Sequence, residues 1–261
     1  MQPLLGGTPT ERLGAIAALM QRGAPPTDAE LDALFACLAD GRKDIQRRAA
    51  EAIAGTAAAR PDLQARLHSL LGASEVRCRW GAVYAFSLLG SVPPSALPTL
   101  LELFGSHDGD LRWAAADLLK RLAQRDRGVV VDALLGLASA PGPQRKMALY
   151  ALRDLDVAGS YDVAIAALSD PEIGNRLAAL AVIAKVHPSP AVAARCMAAL
   201  LDDGDLRMQR AAAGTLSMLG VGDDDVVEAL RRAGASPDAS LRRAAARSLR
   251  ALEDRALRTR R

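Results

Sequence analysis

Residues 111–119 read LRWAAADLL, and residues 241–249 read LRRAAARSL. Both copies carry Arg at the second position (Arg112, Arg242), Ala three residues on (Ala115, Ala245) and Leu seven residues on (Leu119, Leu249). Offsets of 3, 4 and 7 fall on one face of a helix with 3.6 residues per turn, so each copy predicts an amphipathic helix. The pattern extends in both directions. Its register positions are Arg12, Gln46, Arg79, Arg112, Arg145, Arg176, Gln209 and Arg242, spaced 34, 33, 33, 33, 31, 33 and 33 residues apart. Ala stands three residues after every one of them: Ala15, Ala49, Ala82, Ala115, Ala148, Ala179, Ala212 and Ala245. A large apolar residue stands seven after: Leu19, Ile53, Phe86, Leu119, Leu152, Ile183, Leu216 and Leu249. A small residue at the centre of the apolar face lets a neighbouring helix approach closely.

A second apolar pattern, helix A, precedes each of these B helices. It ends near Leu38, Leu71, Phe104, Leu137, Leu168 and Leu201, and Gly234 interrupts it in the last copy. Six residues before the register stand Asp40, Ser106, Ser139, Asp170, Asp203 and Ser236, with Ala73 as the exception. Short polar side chains suit such turns because they can accept hydrogen bonds from free backbone N–H groups. Prolines such as Pro25, Pro26, Pro61, Pro93, Pro94, Pro188 and Pro190 punctuate the passage from B to the next A. One hairpin cannot bury its own apolar faces, whereas a stack of hairpins can. The expected fold is therefore all-α: an α-solenoid of about seven A–B hairpins behind a single N-terminal helix, forming one domain over residues 1–261. An N-terminal capping helix is expected at about 8–22, starting in a capping box at Thr8-Pro9-Thr10-Glu11. An Arg-rich capping helix is expected at about 237–257, with a frayed tail carrying Arg255, Arg258, Arg260 and Arg261.

Periods near 33 also belong to ankyrin and tetratricopeptide repeats. The TPLH turn of the first and the Trp/Tyr-rich helix A of the second are both missing here. The pattern L-x-D/S followed by (V/L)-R-x-x-A-A-x-x-L, as in DLRWAAADLL (110–119) and SLRRAAARSL (240–249), resembles the short HEAT-like repeats found in phycobilin lyase subunits. The resemblance covers nearly the whole chain. It implies a scaffold fold and a ladder in which the register Arg residues bond loop acids and carbonyls, with Asp40, Asp170 and Asp203 as the acids. Gln46 and Gln209 depart from that pattern.

Composition agrees with helix. Of 261 residues 54 are Ala and 40 are Leu, and only eight are aromatic. The three cysteines, Cys37, Cys78 and Cys196, form no C-x-x-C pair, which argues against a zinc ribbon or a disulfide framework and points to a reducing, cytoplasmic setting. No signal-peptide pattern opens the chain. The uncharged run Trp80–Leu101 is long enough to span a bilayer, but it contains Pro93, Pro94 and Pro98 and continues the repeat, so no membrane span is expected. Net charge is +3, yet residues 231–261 carry +7 and residues 1–230 carry −4. The basic character belongs to one end. Its plain reading is a charged solenoid cap; its sharper reading is contact with an acidic partner or nucleic acid.

The exposed side of helix B is expected at offsets 1, 5, 8 and 9 from the register. Trp80, Trp113 and Lys146 share offset 1; Tyr84, Asp117 and Tyr150 share offset 5; Lys120 and Arg153 share offset 8. Four of the eight aromatics thus fall at two offsets in three successive repeats. Aromatic and cationic anchors of this kind characterise protein-binding surfaces. The proposed contact residues are Trp80, Tyr84, Trp113, Asp117, Lys120, Lys146, Tyr150 and Arg153, lining a concave groove for a protein or peptide. The plain alternative is that the rings pack between neighbouring B helices.

Enzyme signals are weak. His68, His107 and His187 are isolated and no H-E-x-x-H occurs, so the metal sites of HEAT-like iron hydroxylases are not matched. Phosphate-binding Gly loops are missing. Trp113 and Asp117, one helical turn apart, resemble the arrangement in HEAT-like alkylpurine DNA glycosylases, but the groove here is poor in basic residues. A lyase or maturase subunit is implied only through the family resemblance. The expectation is a non-catalytic scaffold with no cofactor and no metal.

Overall fold

In a computed structural model, the described residues are 2–57 and 60–259. Among them are sixteen α-helices and no strand. These are α1 (Gln2–Gly6), α2 (Pro9–Gln21), α3 (Asp28–Cys37), α4 (Lys43–Ala57), α5 (Pro61–Leu70), α6 (Val76–Leu88), α7 (Leu97–Leu103) and α8 (Gly109–Ala123). They continue as α9 (Arg127–Ser139), α10 (Arg145–Asp154), α11 (Ser160–Ala167), α12 (Ile173–Lys185), α13 (Pro190–Ala199), α14 (Leu206–Leu219), α15 (Asp224–Gly234) and α16 (Ala239–Thr259). The register positions all fall on even-numbered helices, which are the B helices. Seven of the eight register alanines are completely buried; Ala15, on the first B helix, is half-buried. The fold is an all-α solenoid of helical hairpins.

One element was not legible in the repeat. Helix α1 precedes α2 in the place of a helix A, packs on α2 and α3, and buries Leu4. Five residues are too few to show a 3.6-residue period, so the pattern predicted a lone B helix there. The predicted start of α2 is present: Thr8 N donates to Glu11 Oε2 (2.7 Å) and Glu11 N to Thr8 Oγ1 (3.3 Å). A second capping box, Thr27 with Glu30, opens α3. The apolar run Trp80–Leu101 is broken between α6 and α7 by Gly90, at φ 80°, and Pro93. No helix among the described residues is long and apolar enough to cross a membrane.

Contacts cluster into two compact units, Met1–Val130 and Val131–Arg261, dividing within α9. In the first, B helix packs on B helix, α2 on α4 and α4 on α6, with α3 against α4, α5 against α6 and α7 against α8. In the second, α10 packs on α12, α12 on α14 and α14 on α16, with α11, α13 and α15 against their B partners.

The turn residues do what their chemistry predicts. Asp40, Ser106, Asp170, Asp203 and Ser236 each accept a hydrogen bond from the backbone N–H two residues on. Ser139 instead donates back to Leu135 O.

The register side chains then tie each helix B to its own turn. The carbonyl six residues back accepts from Arg79 (2.7 Å), Arg112 (2.6 Å), Arg145 (3.1 Å), Gln209 (2.5 Å) and Arg242 (2.8 Å). For Arg176 that contact stretches to 3.5 Å. Four of the arginines also take a carboxylate from the following repeat: Arg12 from Asp40, Arg79 from Glu102, Arg145 from Asp170 (2.5 Å) and Arg176 from Asp203 (3.4 Å). All three expected loop acids are therefore in the ladder. The two glutamines sit where the following turn has no acid at the equivalent position, Ala73 after Gln46 and Ser236 after Gln209. Gln46 Nε2 reaches the next repeat through Arg77 O instead (3.1 Å).

The last B helix is anchored more firmly than its sequence predicts. Leu241, Ala244, Ala245 and Leu252 are buried, and Ser248 Oγ donates to Ala213 O (2.5 Å). Arg255, expected to be frayed, lies against Gly220, the left-handed C-cap of α14, and its Nη1 donates to Leu219 O (3.4 Å). The Arg258 side chain, Arg260 and Arg261 lie outside the described residues.

Candidate functional site

In the first unit the aromatic positions divide. Trp113, on α8, leaves 53% of its surface exposed, whereas Trp80, at the equivalent place on α6, leaves 7%. Offset 1 was expected to face solvent, and for Trp80 that expectation is corrected. Its neighbour Gly81 stands in a close helix contact. A Cβ there would lie 2.5 Å from Leu38 O and 2.7 Å from Leu38 Cβ, so α6 approaches the end of α3 more closely than any larger residue allows. The buried indole next to it meets the half-buried Tyr84, ring centroids 6.1 Å apart.

Asp117 is exposed on α8, one turn beyond Trp113. Its Oδ2 accepts from Arg121 Nη2 (2.9 Å), and Lys120 Nζ is 3.9 Å from Oδ1. The carboxylate is engaged along its own helix. At the start of α8, Lys43 Nζ from α4 reaches Asp108 (2.6 Å) and Asp110 (3.1 Å). This contact passes over a whole repeat. It raises the lysine pKa, chiefly through Asp108, and lowers that of Asp108.

The second unit carries the remaining expected residues on α10. Lys146, Tyr150 and Arg153 are all half-buried. The Arg153 guanidinium lies 5.0 Å from the centre of the Tyr150 ring and forks onto Asp154 Oδ1 (2.7 and 2.9 Å). Lys185 Nζ donates to Arg153 O (3.0 Å), linking α12 to α10. Beside them opens a cleft of about 610 Å³, lined among others by Arg153, Leu180, Lys185, His187 and Met218. Met218 is 69% exposed. The sequence reading missed this residue, although it lies at offset 9 from Gln209, a position expected to face outward.

No group of three or more His, Cys, Asp or Glu among the described residues is placed to hold a metal ion. His68 stacks at 4.7 Å on Phe86, and the three cysteines are free.

Alternating hairpins with an internal Arg ladder define a repeat scaffold fold. Residues 31–120 and 161–250 match the HEAT repeats, and the chain belongs to the HEAT-repeat family. No curated protein matches its sequence significantly. Among solved structures, an engineered protein of the Northeast Structural Genomics Consortium is similar at 21% identity and a TM-score of 0.49, over 96% of this chain and 77% of that one. A second engineered protein from the same consortium is similar at 21% identity and a TM-score of 0.34, over 86% of this chain and 97% of that one. The family assignment rests on the repeat match.

Proposed function

We propose that the chain is a non-catalytic scaffold or adaptor that binds a protein or peptide through the B-helix face carrying Trp113. The observation that supports this most is the 53% exposure of that indole in a chain with only eight aromatics. Exposed Trp surrounded by polar groups is a common anchor of protein interfaces. Asp117, Lys120 and Arg121 form the polar surround, and Tyr84 adds a second ring. Trp80 is a buried member of the proposed set. On the second unit, Lys146, Tyr150 and Arg153 are proposed contact residues in their own right. The setting proposed from three free cysteines is the cytoplasm.

The other readings have less support. Asp117 is occupied by Arg121, which weakens the glycosylase arrangement. Nothing at the Trp113 face favours nucleic acid, and the lyase or maturase reading rests on resemblance alone.

The test is recovery of the partner from the native host by tagged wild-type chain and by Trp113→Ala. Loss of an interface Trp is expected to reduce recovery by about tenfold or more, with far-UV circular dichroism unchanged. Undiminished recovery by the double variant Trp113→Ala/Tyr150→Ala would remove this face from the proposal.

A further inference from the structure

Helix α16 turns a continuous stripe to solvent: Arg242, Arg243, Ala246, Arg247 and Arg250. All four arginines are exposed, and they line a shallow groove of about 470 Å³. Among the described residues none of them pairs with a carboxylate. Arg242 donates to Ser236 O and Pro237 O, Arg243 to Ser240 Oγ, and Arg250 to Ala246 O.

Two of these repeat positions hold carboxylates elsewhere in the chain. Arg12, Arg79, Arg145 and Arg176 stand at the register, as Arg242 does, and each takes an acid from the following repeat. Arg210, one residue past the register like Arg243, is forked by Asp238 at 2.6 and 2.9 Å. At Arg242 and Arg243 the stripe thus repeats carboxylate-binding positions without their carboxylates, and the exposed Arg247 and Arg250 extend it along α16.

We propose that this stripe docks an acidic peptide segment of a protein partner, whose carboxylates take the places that turn acids fill along the ladder. Guanidinium and carboxylate match in planar, two-pronged geometry over a short distance. From Arg242 to Arg250 the stripe measures about 12 Å at 1.5 Å per residue. A DNA duplex carries charge about every 1.7 Å along its whole length and extends far beyond that span. No aromatic residue follows Tyr161, so the stripe has no platform for stacking bases. A short acidic segment fits both the extent and the chemistry.

Fluorescence anisotropy tests this with three labelled probes: an (Asp-Glu)4 peptide, an (Asn-Gln)4 peptide and a DNA duplex of the same label. The variants are Arg243→Gln/Arg247→Gln/Arg250→Gln and a charge-matched control, Arg42→Gln/Arg48→Gln/Arg207→Gln. The control arginines are exposed but already paired, with Asp44, Glu51 and Asp205. The wild-type chain is expected to bind the acidic peptide and not the neutral one. The stripe variant should lose about tenfold or more in affinity and the control less than about twofold. Equal losses in the two variants, tighter binding of the duplex than of the peptide, or no binding of the acidic peptide by wild type would each overturn the proposal. Circular dichroism checks folding, and the single reversal Arg247→Glu provides a milder variant with the same expected direction.

Discussion

Arg145 and Arg176 occupy the same position in adjacent repeats, yet their surroundings differ. Arg145 reaches Ala138 O at 2.8 Å, Ser139 O at 3.1 Å and Asp170 at 2.5 Å. Arg176 makes two contacts of 3.4 and 3.5 Å, and its buried Nε has no partner. Asp170 is the most enclosed ladder acid, its side chain 3% exposed. Removing one partner of a buried pair leaves the other charge uncompensated. Arg145→Ala is therefore expected to cost about 3 kcal/mol, and Arg176→Ala distinctly less, as read by urea denaturation. Burial works against the Asp170 carboxylate, but Arg145, the Glu172 N–H and Asn175 outweigh it and hold its pKa below the ordinary value. Half-buried Glu30, Asp205 and Asp238 and exposed Asp44 are likewise lowered, to about 2, each chiefly by its arginine partner. Folded values below unfolded ones mean that this stabilisation is full above the ordinary carboxylate range and is lost as pH falls through the folded values. The urea midpoint should drop between about pH 4 and pH 2. Asp170→Asn, measured across the same range, should show a shallower fall.

Helices in this chain were readable wherever the period had room to repeat. All eight B helices and the A–B turns follow from the spacing of Arg, Ala and the short polar residues, and the resemblance to short HEAT-like repeats implied the ladder acids Asp40, Asp170 and Asp203. Three things were not readable. Helix α1 is shorter than two turns. Arg255 meets Gly220 through a tertiary contact that no local pattern encodes. Trp80 and Trp113 are identical by register yet differ in burial, and beside Trp80 α6 makes a close approach to Leu38 through Gly81. That approach has a direct test. Gly81→Ala puts a methyl group against a backbone carbonyl that cannot give way, and overpacking of this kind costs about 1–3 kcal/mol. A lowered thermal midpoint should be accompanied by a red shift in Trp80 emission, recorded in the Trp113→Phe background. An unchanged midpoint would mean that α6 can withdraw without loss.

Within each compact unit the hairpins stabilise one another through successive interfaces between neighbours instead of one shared centre. For such molecules stability is a sum of local terms, and a single global value describes it poorly. Within the second unit, Asp170→Ala should lower hydrogen-exchange protection most in α10, α11 and α12. The loss should diminish through α14 toward α16. A uniform loss across the unit would show that it unfolds all at once.

The ladder also constrains how such a chain can be lengthened. At the seams after Arg12, Arg145 and Arg176, a donor on one repeat occurs together with a turn acid on the next. Every turn Asp follows an Arg rung: Asp40 after Arg12, Asp170 after Arg145, Asp203 after Arg176. Neither Gln rung is followed by one. A duplicated or transplanted repeat carries half of each seam with it. Placed after the wrong neighbour, it would strand a guanidinium against an Ala73-like turn, or a carboxylate against a Gln46-like rung. The workable cut points therefore lie inside hairpins, between a turn and its own helix B, and a graft that respects them exchanges whole seams.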